Sequence, residues 1–546
     1  MRSSSIVQKF LPQPAPALLR ISALVCALFF IAGATAHAAE AMVEQWGIFE
    51  LGLKGPADGN PFVDVTLSAR FTQAERVVTA AGFYDGDGVY KVRFMPDRPG
   101  EWRCETTSNR PELAGKSAIF TVRPPSKTNH GPVRVARTFH FDYADGTPYR
   151  PIGTTCYSWT HRPDAEEEQT LKTLAASPFN KIRMCVFPSG RARSLRSAPF
   201  EGTMPRGWDR TRFNPAFFRH LEQRVEQLRD LGVEADIILF HPYETFWGFN
   251  AMDAESDDRY VRYLVARLAA YRNVWWSLAN EYDFNPAKNE SDWDRIFQVV
   301  QSSDPYGHLR SIHNGTLIYN HTHAWVTHAS IQNGAAVLDS ERAVLYRDVY
   351  RKPIVFDEVK YEGNSGARWG RLEPEELVLR FWEGTIAGTY VGHSETYRGT
   401  GGSWLSGGGV LKGESPARIA FLKKILEEGP REGINPIDKW QDRHTGGKAG
   451  EYYLIYFGTQ APAAWPFALY KVGLEDGLKF SADVIDTWNM TITPVADVFE
   501  TKKHDNYVFT DKAGRGIALP GRPYIAIRLR RVGAPAKSPV IEQPEP

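Results

Sequence analysis

Val274-Trp275-Trp276-Ser277-Leu278-Ala279 is an unbroken strand-forming run that ends in an amide and a carboxylate, Asn280-Glu281. A short apolar run bounded by polar residues reads as a strand buried on both faces, as in a parallel sheet. The pattern recurs on either side. Val233–Phe240 runs into His241-Pro242-Tyr243-Glu244, and Pro353–Phe356 runs into Asp357-Glu358. Pro151–Tyr157, Lys181–Phe187, His308–His313, Ala324–Ala329 and Thr389–His393 complete the set. Amphipathic helices lie between them. The clearest, Phe217–Gly232, carries Phe217, Phe218, Leu221, Val225, Leu228 and Leu231 at helical spacing. Further helices are expected at 165–176, 257–271, 293–302, 341–351, 374–387 and 416–428. Eight strand–helix units over residues 130–430 predict an α/β fold, a (β/α)8 barrel. An open doubly wound sheet is the alternative, but it would carry a glycine-rich phosphate loop after an early strand, and the sequence has none there.

The flanks read differently. Residues 41–125 alternate short β-rich runs with turn clusters such as Asp85-Gly86-Asp87-Gly88, which predicts an immunoglobulin-like sandwich. Residues 433–533 are again β-rich and predict a second sandwich, with a disordered proline-bearing tail at 534–546. At the front, Arg2, Lys9 and Arg20 precede the apolar run Ile21–Ala34 and then Ala36-His37-Ala38. That is the layout of a secretory signal peptide over residues 1–38, and the run is too short for a bilayer span. The expected protein is periplasmic or secreted and has no membrane partner after cleavage. Removing the leader leaves 62 basic against 64 acidic residues. A near-neutral chain carries no electrostatic footprint for nucleic acid. Cys104, Cys156 and Cys185 remain, an odd number without metal-type spacing, and read as buried free thiols.

In a barrel, chemistry sits where the strands end. Nearly every predicted strand delivers polar groups there: Arg183, His241, Asn280, Glu281, His313, His328, Glu358, His393 and Glu395, with Trp159 after the first strand. Glu281 and Glu358 end strands four and seven and should face each other across the mouth. Two carboxyls about 5–5.5 Å apart suit double-displacement glycoside hydrolysis. Asp357 should point away by strand alternation. The histidines suit binding of sugar hydroxyls, and no metal or other cofactor is expected. Trp159, Trp247, Trp275, Trp276, Trp369 and Trp404 lie on or near the strands and rim loops, so part of the Trp excess is expected to stack on sugar. The arginines of loop 188–213, among them Arg191, Arg193, Arg196, Arg210 and Arg212, suit an acidic or highly hydroxylated glycan.

Asn280-Glu281 after a Trp-rich strand, Glu358 after Lys352-Pro353-Ile354-Val355-Phe356-Asp357, and Asn180-Lys181-Ile182-Arg183 together resemble clan A of the glycoside hydrolases. Within it the barrel looks like the group of the apiosidase-like family. Trp46-Gly47-Ile48-Phe49-Glu50 and Gly100-Glu101-Trp102 resemble the β-sandwich that precedes such barrels, and the C-terminal region is similar to the collagen-binding-like β domain that follows them. The resemblance implies Glu281 as acid/base, Glu358 as nucleophile, Arg183 as holder of the nucleophile, Asn280 on the sugar 2-hydroxyl, and His241 and His313 in the subsite. It implies a retaining hydrolase acting on a plant or microbial poly- or oligosaccharide. Many clan members end strand eight in a subsite Trp. This sequence has His393-Ser394-Glu395 there, with Trp404 as the expected substitute. A carbohydrate-binding or adhesion protein with an inactive barrel is the competing reading.

Overall fold

A computed structural model describes residues 41–188, 197–203, 206–243, 245–332, 337–338, 340–398, 402–438 and 442–533. The expected signal peptide and tail lie outside these residues, as do Arg191, Arg193, Arg196 and Glu244. No helix among the described residues is long and apolar enough to cross a membrane.

Eight parallel strands form the barrel. They are β1 (Gly153–Thr155), β2 (Lys181–Cys185), β3 (Glu234–Phe240), β4 (Val274–Ala279), β5 (Arg310–Ser311), β6 (Ala329–Gln332), β7 (Ile354–Glu358) and β8 (Tyr390–His393). Their order is β5-β4-β3-β2-β1-β8-β7-β6, and a parallel bridge between His313 and Ser330 closes the ring. The outer helices are α1 (Asp164–Ala175), α2 (Pro215–Asp230), α3 (Ala254–Leu268), α4 (Glu290–Ser303), α5 (Ser340–Tyr350), α6 (Pro374–Ile386) and α7 (Ser415–Glu427). Helix α2 starts two residues before its apolar periodicity, because the Asn214 side chain caps it and Pro215 supplies a preset first turn. All seven helices named from the sequence are present, and the count of eight strand–helix units fails because no eighth stands between strands five and six. The β5–β6 connection is a loop without a helix, and β6 starts at Ala329, five residues later than expected.

The lower barrel is held by charge. Lys181 on β2 reaches Asp236 on β3 at 2.6 Å and Asp357 on β7 at 2.8 Å, and its ammonium lies 5.4 Å over the Trp275 ring. All are buried. Removing one partner of such a group leaves an unpaired charge out of water. Lys181→Met should therefore cost about 3–5 kcal/mol of stability in denaturant unfolding, and a loss below about 1 kcal/mol would speak against this account. Below this layer, a small sheet of Val133–Ala136, His140–Tyr143 and Pro148–Tyr149 plugs the barrel floor. Phe141 lies 5.2 Å from the Trp275 ring there. Trp276, the next residue on β4, points outward and donates to Asp304 at 3.1 Å.

Before the barrel, seven strands between Ala41 and Arg123 fold around a phenylalanine core, with Phe71 stacked on Phe94 and Phe49 on Phe120. Arg93 and Asp85 of this β domain meet Glu222 on α2 and Arg267 on α3 in a buried ion network that seats it on the barrel. After the barrel, an eight-stranded sheet spans Asn435–Arg531, with its own core around Phe467, Phe480 and Phe499. Cys104, Cys156 and Cys185 are buried free thiols.

Candidate active site

At the C-terminal rim, Glu358 ends β7. The β6–β7 register explains its direction. Ser330 pairs with Val355 but Gln332 pairs with Glu358, so β7 holds one extra residue, a bulge. The bulge breaks the alternation and turns both Asp357 and Glu358 into the barrel. This corrects the expectation for Asp357, which points inward, one layer below Glu358. It accepts from Ser330 at 2.5 Å and pairs with Lys181. Around Glu358, the Tyr157 hydroxyl donates to the carboxylate, Arg183 lies at 3.3 Å and His313 at 3.5 Å. Burial works to raise the Glu358 pKa, but His313, Arg183 and the Tyr157 hydroxyl prevail, and it is held below its ordinary value. His313 is itself pushed down to about 4 by burial and by Arg183, so near neutral pH the standing cation is Arg183.

Glu281 follows β4 with φ +43°. A non-glycine residue in the left-handed region costs of order 1–3 kcal/mol and clusters at functional sites. The turn aims the side chain at the mouth, where it accepts from the Tyr243 hydroxyl and from Gln332 at 3.0 Å. Its pKa is raised, first by burial and then by the charge of Glu358. Arg183 and Asn280 connect the two carboxylates. Arg183 donates to Asn280 at 2.6 Å and to Glu358, and Asn280 donates to the Tyr243 hydroxyl at 2.8 Å. On the other side, Gln332 bridges Glu281 and His313. The arrangement sets the two carboxyls apart, Glu358 below and Glu281 above the ordinary value, the direction of split that acid–base bond cleavage needs.

Of the residues expected at the site, Glu281, Glu358, Arg183, Asn280 and His313 come together. His241 stands behind them, its ring against Tyr243 and its Nε2 at 3.1 Å from the Phe187 carbonyl. Five others do not reach the mouth. His328 precedes β6 and packs on Phe141 and Trp275 at the opposite end. The β6 start was placed too early, and that inverted its position. His393 pairs in register with Thr154, on the outward face of the wall, and stacks on Phe179. Glu395 is buried and accepts from the Lys412 and Gly413 amides. Trp159 is buried in the barrel core, and Trp404 is buried with its indole donating to Thr154 at 2.8 Å. Neither tryptophan is a stacking surface. Of the six rim tryptophans only Trp369 is exposed, at 48%, edge-on to Tyr361. Arg210 is tied to the Gly248 carbonyl and Arg212 to that of Gly59.

Tyr157, Tyr243 and Gln332 also join the cluster, and pattern reading placed them at strand ends without giving them a role. Each follows or ends a strand, so position alone could have raised them. Tyrosine and glutamine carry no charge signal, and their partners come from other strands.

Residues 136–404 match the family described as apiosidase-like, catalytic domain. Residues 42–109 and 440–530 match two families described as domains of unknown function, DUF5060 and DUF5605. No curated protein is similar to the chain. A solved "putative glycoside hydrolase" from Bacteroides vulgatus is 42% identical, with TM-score 0.88, over 90% of this chain and all of that one. A glycoside hydrolase family 5 structure from the same organism shares the fold at 14% identity and TM-score 0.53, over 73% of this chain and 93% of that one. With its own barrel matched by that family model and a full-length relative above 40% identity, the chain belongs to the apiosidase-like glycoside hydrolases.

Proposed function

We propose that the protein is an exported, retaining glycosidase that cleaves O-glycosidic bonds of a plant or microbial poly- or oligosaccharide. The observation that carries this reading is the pair of half-buried carboxylates, Glu281 and Glu358, joined at the barrel mouth through Arg183, Asn280, Tyr243 and Gln332, with their pKa values displaced in opposite directions. Glu358 attacks the anomeric carbon while Glu281 protonates the departing oxygen. Water then attacks the anomeric carbon while Glu281 takes its proton, the bond from that carbon to Glu358 breaks, and the free sugar leaves as the Glu358 carboxylate is restored. Arg183 keeps Glu358 ionised before attack. When the sugar neutralises Glu358, the negative neighbour of Glu281 is gone and its pKa falls, which suits its second role as base. Asn280 offers its amide to a sugar hydroxyl. Trp369 beside Tyr361, and Phe284 just beyond Glu281, are the half-exposed rings available for stacking. Export rests on the leader-like residues 1–38.

Aryl glycosides and polysaccharides should be screened for reducing-end release, with proton NMR of the first-formed product. Release with the anomeric configuration kept is the expected result. Inverted product would overturn double displacement, and glycan binding without release from any substrate would favour an inactive barrel.

A further inference from the structure

Outside the catalytic mouth, three chemistry-bearing side chains meet in the wall behind β7 and β8. Glu362, His393 and Glu395 are at most 1% exposed, and one ligand-capable atom of each lies within 4.8 Å of the others. Glu362 accepts from the Glu414 and Ser415 amides at 2.8 and 3.1 Å and from the Tyr397 hydroxyl at 3.2 Å. Glu395 accepts from the Lys412 and Gly413 amides at 2.6 and 2.7 Å. These bonds orient the carboxylates but bring no full positive charge. Among the described residues no Lys or Arg forms an ion pair with either one. Two buried carboxylates with no ion-pair partner, and only the more distant charge of Lys412 acting on Glu395, are costly unless a cation or a proton joins them.

His393 supplies the independent indication. Its Nδ1 is engaged by the Thr154 hydroxyl at 3.0 Å, and that hydroxyl also receives the Trp404 indole. Phe179 stacks on the ring at 4.5 Å. The ring is thus fixed, and its buried Nε2 has no hydrogen-bond partner. An unmade bond at such an atom costs about 1–3 kcal/mol. Metal-ligating histidines have this second-sphere arrangement, with the far nitrogen donating to a neighbour. Gly413 keeps the loop close, since a Cβ there would come within 2.5 Å of the Glu362 carboxylate. The other acid–histidine group, Asp164, Glu167 and His220, differs in kind: Arg224 already contacts Glu167 at 2.6 Å.

We propose that Glu362, His393 and Glu395 bind a divalent transition-metal ion, of the Zn²⁺ or Mn²⁺ type, through one oxygen of each carboxylate and His393 Nε2. Mixed imidazole and carboxylate donors suit these ions. The ion clamps the segment beyond the Glu358-bearing strand to the end of β8 and to the loop entering α7. It lies outside the catalytic cluster and is independent of the proposed glycosidase reaction.

The test uses untagged full-length protein, stripped with a chelator and dialysed into metal-free buffer. ZnCl₂ and MnCl₂ are titrated separately, with bound metal measured by mass spectrometry after gel filtration and stability by thermal unfolding. The expected result is one equivalent of Zn²⁺ or Mn²⁺ per chain and a higher Tm on loading. His393→Gln and Glu395→Gln should each weaken binding by at least about tenfold and remove the Tm rise, at the lower end of what losing a supporting group costs a metal site. His220→Gln should retain both. Wild type with no metal above the buffer blank, or binding unchanged in both site variants, overturns the proposal and leaves a shared proton as the occupant. Should the variants fail to fold, X-ray absorption on loaded wild type decides. One imidazole with carboxylate oxygens supports the site, and a shell of water alone or of several imidazoles overturns it.

Discussion

Glu358→Gln should lower kcat/KM by at least about 10³-fold, the scale seen when an essential member of a concerted site is removed. Glutamine keeps the shape and an oxygen that can accept from Tyr157 and Arg183. The variant should therefore unfold close to wild type, which separates lost chemistry from lost fold. A good leaving group will not rescue it, because no glycosyl–enzyme bond can form. Near-normal turnover on any substrate that wild type cleaves would remove Glu358 from the reaction. The carboxylate is prepared for attack by position and by charge: the β7 bulge turns it inward, and Arg183 holds it ionised.

Glu281→Gln should have a different kinetic signature. Loss of a positioned acid–base costs about 10²–10⁴-fold. The loss in bond cleavage should shrink for aryl glycosides whose phenolate departs without a proton, and the second step should then limit turnover. Added azide should restore rate by attacking the glycosyl–enzyme without needing a base. Failure of azide to accelerate any activated substrate would count against Glu281 as the base.

The pH profile follows from the same two groups. Activity needs Glu358 ionised and Glu281 protonated. Because the Glu358 pKa is lowered, the acid limb should fall below the ordinary carboxylate range. Because the Glu281 pKa is raised, the rate of kcat/KM should decline on the alkaline side only above that range. In Glu281→Gln the alkaline limb should disappear. Near neutral pH His313 is neutral, so the alkaline limb does not belong to it; held at about 4, it titrates in the region of the acid limb together with Glu358.

Much of the barrel is legible without coordinates. Apolar runs such as Val274–Ala279 and Val233–Phe240 are buried on both faces and leave little choice but a parallel sheet. Helix α2 follows directly from its apolar spacing. Both carboxylates are recoverable for the same reason, as each stands at the second polar position after such a run, behind Asn280 and Asp357. The errors have local causes. β5 is two residues long, and the chain then reaches β6 through a loop that lacks helical periodicity, so the β6 start slipped and took His328 to the wrong end.

The strand pattern, then, carries the fold class and the location of Glu281 and Glu358. What it could not carry is direction. A one-residue bulge in β7 decides that Asp357 and Glu358 both face inward, and a left-handed turn decides where Glu281 points. Tyr157, Tyr243 and Gln332 join them only because β1, β3 and β6 close around one axis. The same closure buries Trp159 and Trp404 and turns His393 outward, away from the mouth. Periodicity along a chain reports burial, whereas hydrogen bonds and pKa shifts depend on distances between strands far apart in sequence, and those exist only once the ring has closed.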